Sequence, residues 1–188
     1  MRHGAADALG TLTDEGREQS RRLGLRLAEV PFDAIWHSPL PRAVESAEII
    51  ARRHPGVLLD EAPELVDHIP HVPPATARSG AWVGFFDGYS TREAEAGART
   101  AASSVRRFAH SPGPGRRSTR ELLVTHAYPV AWLVRHVLGA PPAAWMSLAG
   151  IANTGLTIVD LPEGELASIR CVNDVSHLDA PDPTPLPG

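Results

Sequence analysis

Apolar residues along this chain follow two patterns: short continuous segments, and longer stretches in which they recur every three or four positions. The first periodic stretch starts after Thr13, a good helix N-cap, and carries Asp14 and Glu15 where the helix dipole favours negative charge. One face of the predicted helix consists of small residues and leucines, Gly16, Ser20, Leu23, Gly24 and Leu27. The small residues predict a helix that lies close against a sheet.

Three short apolar segments predict buried strands, at 34–37, 57–59 and 121–125. Helices are predicted after the first and the third of these strands, one through Arg42 and Ile50 and the other over 130–138. A further helix is predicted over 90–110. Strands that alternate with helices imply a mostly parallel sheet that is covered on both faces.

The C-terminal part of the chain follows the β pattern. Segments 154–161 and 166–172 alternate around the turn residues 162–165, which predicts a hairpin. Proline and glycine make 67–74 irregular and 111–115 a loop.

We therefore expect one α/β domain over residues 1–178, a three-layer α/β/α arrangement, followed by a Pro-rich tail at 179–188.

Composition narrows the class of protein. The chain has 188 residues, enough for one domain with a sizeable core, and its net charge of −4 argues against a nucleic-acid binder, which needs a basic surface. No apolar run is long enough to span a bilayer, so no membrane partner is expected. Cys171 is the only cysteine, which excludes an internal disulfide, and the cytoplasm is the expected compartment. The residues give no indication of the oligomeric state.

The candidate chemistry lies in three segments, Arg2-His3-Gly4, Ser38-Pro39-Leu40-Pro41-Arg42 and Thr125-His126-Ala127. Arg42 and His126 each follow a predicted strand, so a parallel sheet brings them to the same rim. Two imidazoles and two guanidiniums provide a nucleophile and a planar cationic cradle, which suits phosphoryl transfer without a metal. A lone histidine is more often a core residue. The interpretation as a phosphoryl-transfer site therefore rests on all of these residues occurring together in this order.

These segments, together with Leu12-Thr13-x-x-Gly16 and Leu65-x-Asp67, resemble the histidine phosphatase superfamily, whose fold is phosphoglycerate-mutase-like. Longer stretches resemble its mitochondrial phosphoglycerate-mutase-like Ser/Thr protein phosphatase branch, at 12–27, 53–57, 65–74 and 126–148. The resemblance implies a metal-independent phosphatase without a cofactor, which hydrolyses phosphomonoesters through a phosphohistidine.

By this resemblance His3 is the nucleophile, and Arg2 and Arg42 bind the phosphoryl oxygens. His126 matches the family's second histidine and is implied to hold the equatorial oxygens from the opposite side. The implied phosphate-binding set is Arg2, Gly4, Arg42, His126 and Ala127, with Gly4 letting the backbone approach the phosphate. We expect the guanidiniums to depress the pKa of His3 and keep its imidazole neutral.

The leaving alkoxide needs a proton, and Asp67 is the predicted general acid. The family usually has Glu at this position, so Leu65-Val66-Asp67 keeps the spacing but shortens the side chain by one methylene. A bound phosphate dianion is expected to raise the pKa of Asp67 toward the working pH. Glu64 and His68 are the alternative donors.

A second departure concerns the start of the chain. The family has a central strand immediately before Arg-His-Gly, whereas only Met1 precedes Arg2 here. The sequence therefore predicts either an incomplete N-terminus or a gap that other residues fill.

Other interpretations stay open. A phosphoglycerate-type mutase uses the same phosphoenzyme, and a catalytically silent phosphate-binding or scaffolding module is compatible with both departures. His68 and His71 indicate a zinc pair only weakly, because no third ligand has matching spacing. Glycines flank the aromatic segment 82–89, which is either core or a lid over the site. The substrate is either a phosphoprotein or a phosphorylated small molecule.

Overall fold

The computed structural model describes residues 1–178 apart from residues 112, 114 and 116. The Pro-rich tail predicted at 179–188 lies outside the described residues, as do two positions of the loop predicted at 111–115. The helices are α1 (Asp14–Leu27), α2 (Pro41–Ala51), α3 (Trp82–Phe85), α4 (Thr91–Phe108) and α5 (Ala127–Val137). The strands are β1 (Ala34–His37), β2 (Leu58–Glu61), β3 (Glu121–Val124), β4 (Leu156–Asp160) and β5 (Ser168–Asp174). Short 3₁₀ helices are formed by Pro63–Leu65, Ala75–Ala77 and Pro142–Leu148.

The main sheet has the strand order β2-β1-β3, and both strand pairs are parallel. Ala34 lies opposite Leu58 on one side and opposite Glu121 on the other. This arrangement confirms the parallel sheet that the alternating pattern predicts. Strands β4 and β5 form a separate antiparallel hairpin with irregular register, also as predicted.

The first three residues lie beside the end of β3. The Thr125 amide donates to the Met1 carbonyl at 2.9 Å, and the His3 amide donates to the Thr125 carbonyl at 2.9 Å. On the other side the Thr154 amide is 3.1 Å from the carbonyls of both Arg2 and His3. The nucleophile predicted at His3 is therefore fixed between two backbone segments.

The main core lies between the sheet and the helix pair α1 and α2. The buried face of α1 contains all five residues of the predicted small and apolar stripe, and the Thr13 hydroxyl accepts from the Gly16 amide at 3.1 Å. Leu23, Ile35 and Ile50 have no solvent exposure and join α1, β1 and α2. Burying such side chains contributes about 1.5–3 kcal/mol each, so this core holds the rim of the sheet in place.

A second core contains the aromatic segment 82–89. Trp145 is fully buried, and its ring lies 5.1 Å from those of both Trp82 and Tyr128. Phe86 is only 4% exposed in the same cluster, and the Trp145 indole donates to the His71 carbonyl at 2.9 Å. Of the two interpretations of this segment, the packing in the structure is that of a core.

Several element boundaries differ from the sequence expectations by one to three residues. Helix α5 begins at Ala127, three residues earlier than predicted, because Pro129 falls in the first turn, where backbone amides need no helical partner. Strand β2 begins one residue later than predicted and ends two residues later, at Glu61. The early start of α5 matters for function, since it makes His126 the residue that precedes the helix.

Candidate active site

Three predicted site residues meet at the carboxyl end of the parallel sheet. Arg42 lies in the first turn of α2 after β1, and His126 lies between β3 and α5. The ring centroids of His3 and His126 are 5.0 Å apart in an edge arrangement, and Arg42 Nε is 3.0 Å from His3 Nε2. The topology thus brings together residues that are 39 and more positions apart in the chain.

The hydrogen bonds of His3 define its tautomer. Its Nδ1 lies 2.6 Å from the Gly4 carbonyl, which only accepts, so the proton is on Nδ1 and the lone pair is on Nε2. That lone pair accepts from Arg42 Nε at 3.0 Å. His3 therefore presents the nitrogen that can attack an electrophile, already aligned by a guanidinium.

Burial is the main reason that His3 stays neutral. Its side chain is 6% exposed, and this loss of water lowers its pKa to about 3, opposed by the Gly4 hydrogen bond and assisted by the charges of Arg2 and Arg42. The expected direction of the pKa shift agrees with the sequence interpretation. The principal cause differs, because the guanidiniums contribute less than burial does.

His126 is the most deeply buried member of the site. It is 1% exposed, and burial, followed by the charges of His3 and Arg42, lowers its pKa to about 2. Its Nε2 is 2.8 Å from the Ser38 hydroxyl, which also accepts from the Leu40 amide at 3.3 Å. This arrangement favours a hydroxyl that donates to Nε2, which leaves the His126 proton on Nδ1.

The Nδ1 atom of His126 has no hydrogen-bond partner among the described residues and lies 3.9 Å from Asp67 Oδ2. A buried polar atom without a partner costs about 1–3 kcal/mol. An anionic oxygen bound beside His3 would accept from this Nδ1–H, which fits the implied role of His126.

The two guanidiniums are held from different sides. Arg2 donates to the Ile151 carbonyl at 2.7 Å, and Arg42 donates from Nη2 to Asp67 Oδ2 at 3.1 Å. The side chain of Arg42 is only 19% exposed. Such fixed planar forks match the oxygens of a phosphoryl group two at a time.

The structure gives Gly4 a different role from the one expected. A Cβ at Gly4 would lie 2.3 Å from the Gly16 carbonyl oxygen, so glycine is required for close packing on α1. The Gly4 amide donates to the Ser46 hydroxyl at 3.0 Å, and Ser46 donates to the Arg42 carbonyl at 2.7 Å. Gly4 thus couples His3 to Arg42 through Ser46, and its amide is already engaged within the protein.

Asp67 lines the same cleft as His3 and Arg42. It follows the 3₁₀ turn Pro63–Leu65, pairs with Arg42, and keeps 39% of its side chain exposed. Partial burial raises its pKa, while the charge of Arg42 opposes the rise. A raised pKa is the direction that a proton donor needs, because it brings the carboxyl closer to the pH at which it can hold a proton.

The alternative proton donors point elsewhere. Glu64 pairs with Arg107 at 2.8 Å, and His68 Nδ1 lies 2.7 Å from the Val66 carbonyl. Neither lines the cleft that contains His3. The geometry therefore favours Asp67 over both.

The cleft has a volume of about 320 Å³ and is lined by Arg2, His3, Ala5, Ala6, Asp7, Ala8, Gly10, Arg42, Asp67 and Asn153. A larger cleft of about 660 Å³ lies along α1 and α2, where Arg17 pairs with Asp14 and Glu45, and it contains neither His3 nor Arg42. The smaller cleft is therefore the candidate active site. Ala127, the remaining member of the implied phosphate set, is the first residue of α5 next to His126.

Sequence reasoning missed the turn at 150–155, which holds His3 in place. The Asn153 side chain donates to the His3 carbonyl at 3.1 Å, and Ile151 supplies the carbonyl that binds Arg2. Thr154 has a φ of 55°, a strained value for a β-branched residue, and its hydroxyl is 2.9 Å from His177 Nε2. The polar Asn-Thr-Gly sequence immediately before a strand was the feature of the sequence that could have indicated this turn.

Among the described residues, no group of three or more His, Cys, Asp or Glu side chains is arranged to hold a metal ion. In the same part of the chain, no helix has both the length and the apolar character needed to cross a membrane.

Comparison with known families agrees with this geometry. Residues 1–175 match the model of the histidine phosphatase superfamily, branch 1. The chain belongs to the histidine phosphatase superfamily.

Among curated relatives, the mitochondrial serine/threonine-protein phosphatase Pgam5 of Caenorhabditis briggsae is 32% identical over 171 residues, which cover 89% of this chain and 58% of that protein. The PGAM5 protein of Homo sapiens is 30% identical over 171 residues, or 89% of this chain and 56% of its own length. The chain thus spans somewhat more than half the length of these relatives.

Solved structures establish the fold. The alpha-ribazole phosphatase of Shigella flexneri has a TM-score of 0.68 at 17% identity, over 93% of this chain and 95% of that one. The phosphoglycerate mutase of Plasmodium falciparum has a TM-score of 0.63 at 22% identity, over 98% and 94%. These similarities confirm the phosphoglycerate-mutase-like fold that the motifs predict.

Proposed function

We propose that this protein is a metal-independent phosphatase that hydrolyses phosphomonoesters through a phosphohistidine on His3. The observation that carries the proposal is the fixed tautomer of His3: Nδ1 donates to the Gly4 carbonyl, and the Nε2 lone pair accepts from Arg42 in a cleft that Arg2 also lines. Family membership and the names of the curated relatives support the same activity.

The first step is an in-line attack of His3 Nε2 on phosphorus. The N–P bond forms as the bond from phosphorus to the leaving oxygen breaks, and Asp67 transfers its proton to that oxygen. Arg42 Nε, which donates to the lone pair in the free protein, has to turn its hydrogen bond toward a phosphoryl oxygen. Substrate binding thereby frees the nucleophile, because a charged phosphate accepts more strongly than a neutral imidazole.

The second step regenerates the site. The Asp67 carboxylate accepts a proton from water, the water oxygen attacks phosphorus, and the N–P bond breaks to release inorganic phosphate. The lone pair returns to His3 Nε2. Arg2, Arg42 and the Nδ1–H of His126 stabilise the charge on the phosphoryl oxygens in both steps.

The substrate class remains a proposal as well. The relatives are named as serine/threonine-protein phosphatases, which favours a phosphoprotein, and a phosphorylated small molecule is the alternative. A panel of phosphopeptides and metabolite phosphates, compared by kcat/KM, decides between them.

The direct test is to trap the intermediate. The protein is quenched during turnover of a ³²P-labelled phosphomonoester, and label that is stable in alkali but labile in acid is expected on the peptide that contains His3. His3→Ala should lose this label, whereas His136→Ala, a change at an exposed position of α5, should keep it. Stable label with transfer back to substrate indicates a mutase, and binding without any label indicates a silent module.

The compartment stays a prediction. The composition favours the cytoplasm, whereas the names of the curated relatives include the word mitochondrial. Fractionation of cells that express the full-length protein tests this point.

A further inference from the structure

The charges in the cleft are divided between its two ends. Of the described residues that line it, the cationic ones are Arg2 and Arg42, and Arg42 contacts His3 directly. Both belong to the phosphate end. The remaining charged lining residues are carboxylates, Asp7 and Asp67. A second negative charge on the substrate therefore has no cationic partner in the lining beyond the phosphate site.

Asp7 is held at the mouth of the cleft by its own loop. Its Oδ1 accepts from the amides of Leu9 at 2.9 Å and Thr11 at 3.0 Å, and its backbone amide donates to the Thr11 carbonyl at 2.9 Å. Gly10, with a φ of 83°, closes the turn beneath the Arg42 guanidinium. Oδ1 is thus committed to the loop, whereas Oδ2 has no hydrogen-bond or ion-pair partner among the described residues. Asp7 presents that oxygen toward solvent.

The size of the cleft limits what enters it. A volume of about 320 Å³ is at the lower end for a ligand site, which suits a phosphorylated side chain rather than a whole large metabolite. Small residues, Ala5, Ala6 and Ala8, leave room along the same wall. The rest of a larger substrate then lies outside, over the loop that carries Asp7.

We infer that the substrate is a phosphorylated side chain in a basic segment of a polypeptide, with Asp7 as the residue that selects a positive charge near the phosphate. The inference rests on the proposed phosphatase function and deepens it. Compounds with a second anionic group beside the phosphate, such as phosphoglycerates, meet Asp7 instead of a cation and are expected to be poor substrates.

The experiment uses three phosphoserine peptides of the same length in which the residues flanking phosphoserine are Arg, Ala or Glu. For the wild-type protein we expect kcat/KM to fall from Arg to Ala to Glu, with about a tenfold difference between Arg and Glu that shrinks as salt is added. Asp7→Asn preserves the Oδ1 acceptor of the loop and is expected to reduce this ratio to about twofold, and Asp7→Arg is expected to invert it. Asp60→Asn, at an exposed position of β2, is the matched control and should keep the ratio.

Failure of the inference and failure of the proposed function give different results. Turnover of p-nitrophenyl phosphate with equal kcat/KM for the Arg and Glu peptides overturns the inference alone, as does a preference for Arg that survives in Asp7→Arg. Affinities of the three peptides for His3→Ala, measured by calorimetry, test the same order without chemistry. The same order there with no turnover by the wild-type protein supports the charge selection and rejects the phosphatase.

Discussion

The two ends of the active-site cleft are built differently. At the proposed phosphate end, Arg42 and His126 follow strand ends and His3 lies beside the end of β3. Ser38, which contacts His126, is fully buried. At the leaving-group end, Asp67 lies in irregular chain and is anchored mainly by one ion pair. The proposed phosphate site is therefore built on the sheet, whereas the side proposed to meet the variable part of a substrate consists of loops.

The largest effect on turnover is expected from a substitution at the phosphate end. His3→Ala should lower phosphatase turnover by at least roughly three orders of magnitude, because only binding and electrostatics remain. The measurement is kcat for p-nitrophenyl phosphate, with circular dichroism to show that the fold is intact. Turnover near that of the wild-type protein would show that another group is the nucleophile.

At the leaving-group end, we expect a substitution to have an effect on turnover that depends on the substrate. Asp67→Asn is expected to slow alkyl phosphates by roughly 10²- to 10⁴-fold but p-nitrophenyl phosphate far less, because a phenolate leaves with little protonation. The raised pKa of Asp67 predicts that alkyl phosphate turnover falls at alkaline pH in the wild-type protein, and that this limb vanishes in the mutant.

Glu64→Gln is the control for this prediction, since Glu64 pairs with Arg107 outside the cleft. If both substrates slow equally in Asp67→Asn, or if Glu64→Gln shows the leaving-group dependence, another residue is the donor. The mechanism at His3 would survive either result.

A smaller effect than at either end of the cleft is expected for the turn at 150–155. Asn153→Ala removes the bond to the His3 carbonyl and should lower kcat about tenfold with a smaller change in KM, because a misplaced nucleophile affects the chemical step most. Trapped phosphoenzyme should form more slowly but still on His3. An unchanged kcat would mean that Thr154 and the strand contacts position His3 without Asn153.

The smallest effect concerns stability against pH. The pKa of His126 is lowered from 6.5 to about 2, so below about pH 6.5 the unfolded chain binds a proton that the folded chain does not. The contribution of His126 to the free energy of unfolding is therefore fully present above pH 6.5. As the pH decreases, the free energy of unfolding falls by up to about 1.4 kcal/mol per pH unit because of this residue. His126→Gln should flatten the dependence between pH 6.5 and 4 in urea unfolding.

His136→Gln, an exposed change on the same helix, is the control and should keep the wild-type slope. Asp67 changes the stability in the opposite direction as the pH falls, because its pKa is raised and the folded state binds its proton more tightly than the unfolded state does. Equal slopes in His126→Gln and the wild-type protein would contradict the buried neutral state of His126.

The elements of the fold follow closely from local patterns. The capping of α1 by Thr13, its small and apolar stripe and the hairpin were all predicted. The start of α5 was predicted three residues late, and the helix begins early enough to include Pro129 in its first turn, where proline is tolerated. The contribution of the turn at 150–155 escaped prediction, since its partners Arg2 and His3 are about 150 residues away.

The sequence by itself determined the residue types, their order and, through the alternation of strands and helices, the shared rim for Arg42 and His126. Only the tertiary structure decided which nitrogen of His3 is free, that burial more than charge keeps it neutral, and that Gly4 serves packing on α1. The physical reason is the separation along the chain over which each effect acts. Periodicity and capping act within a few residues, whereas desolvation, tautomer choice and steric fit depend on atoms that only the folded chain brings together.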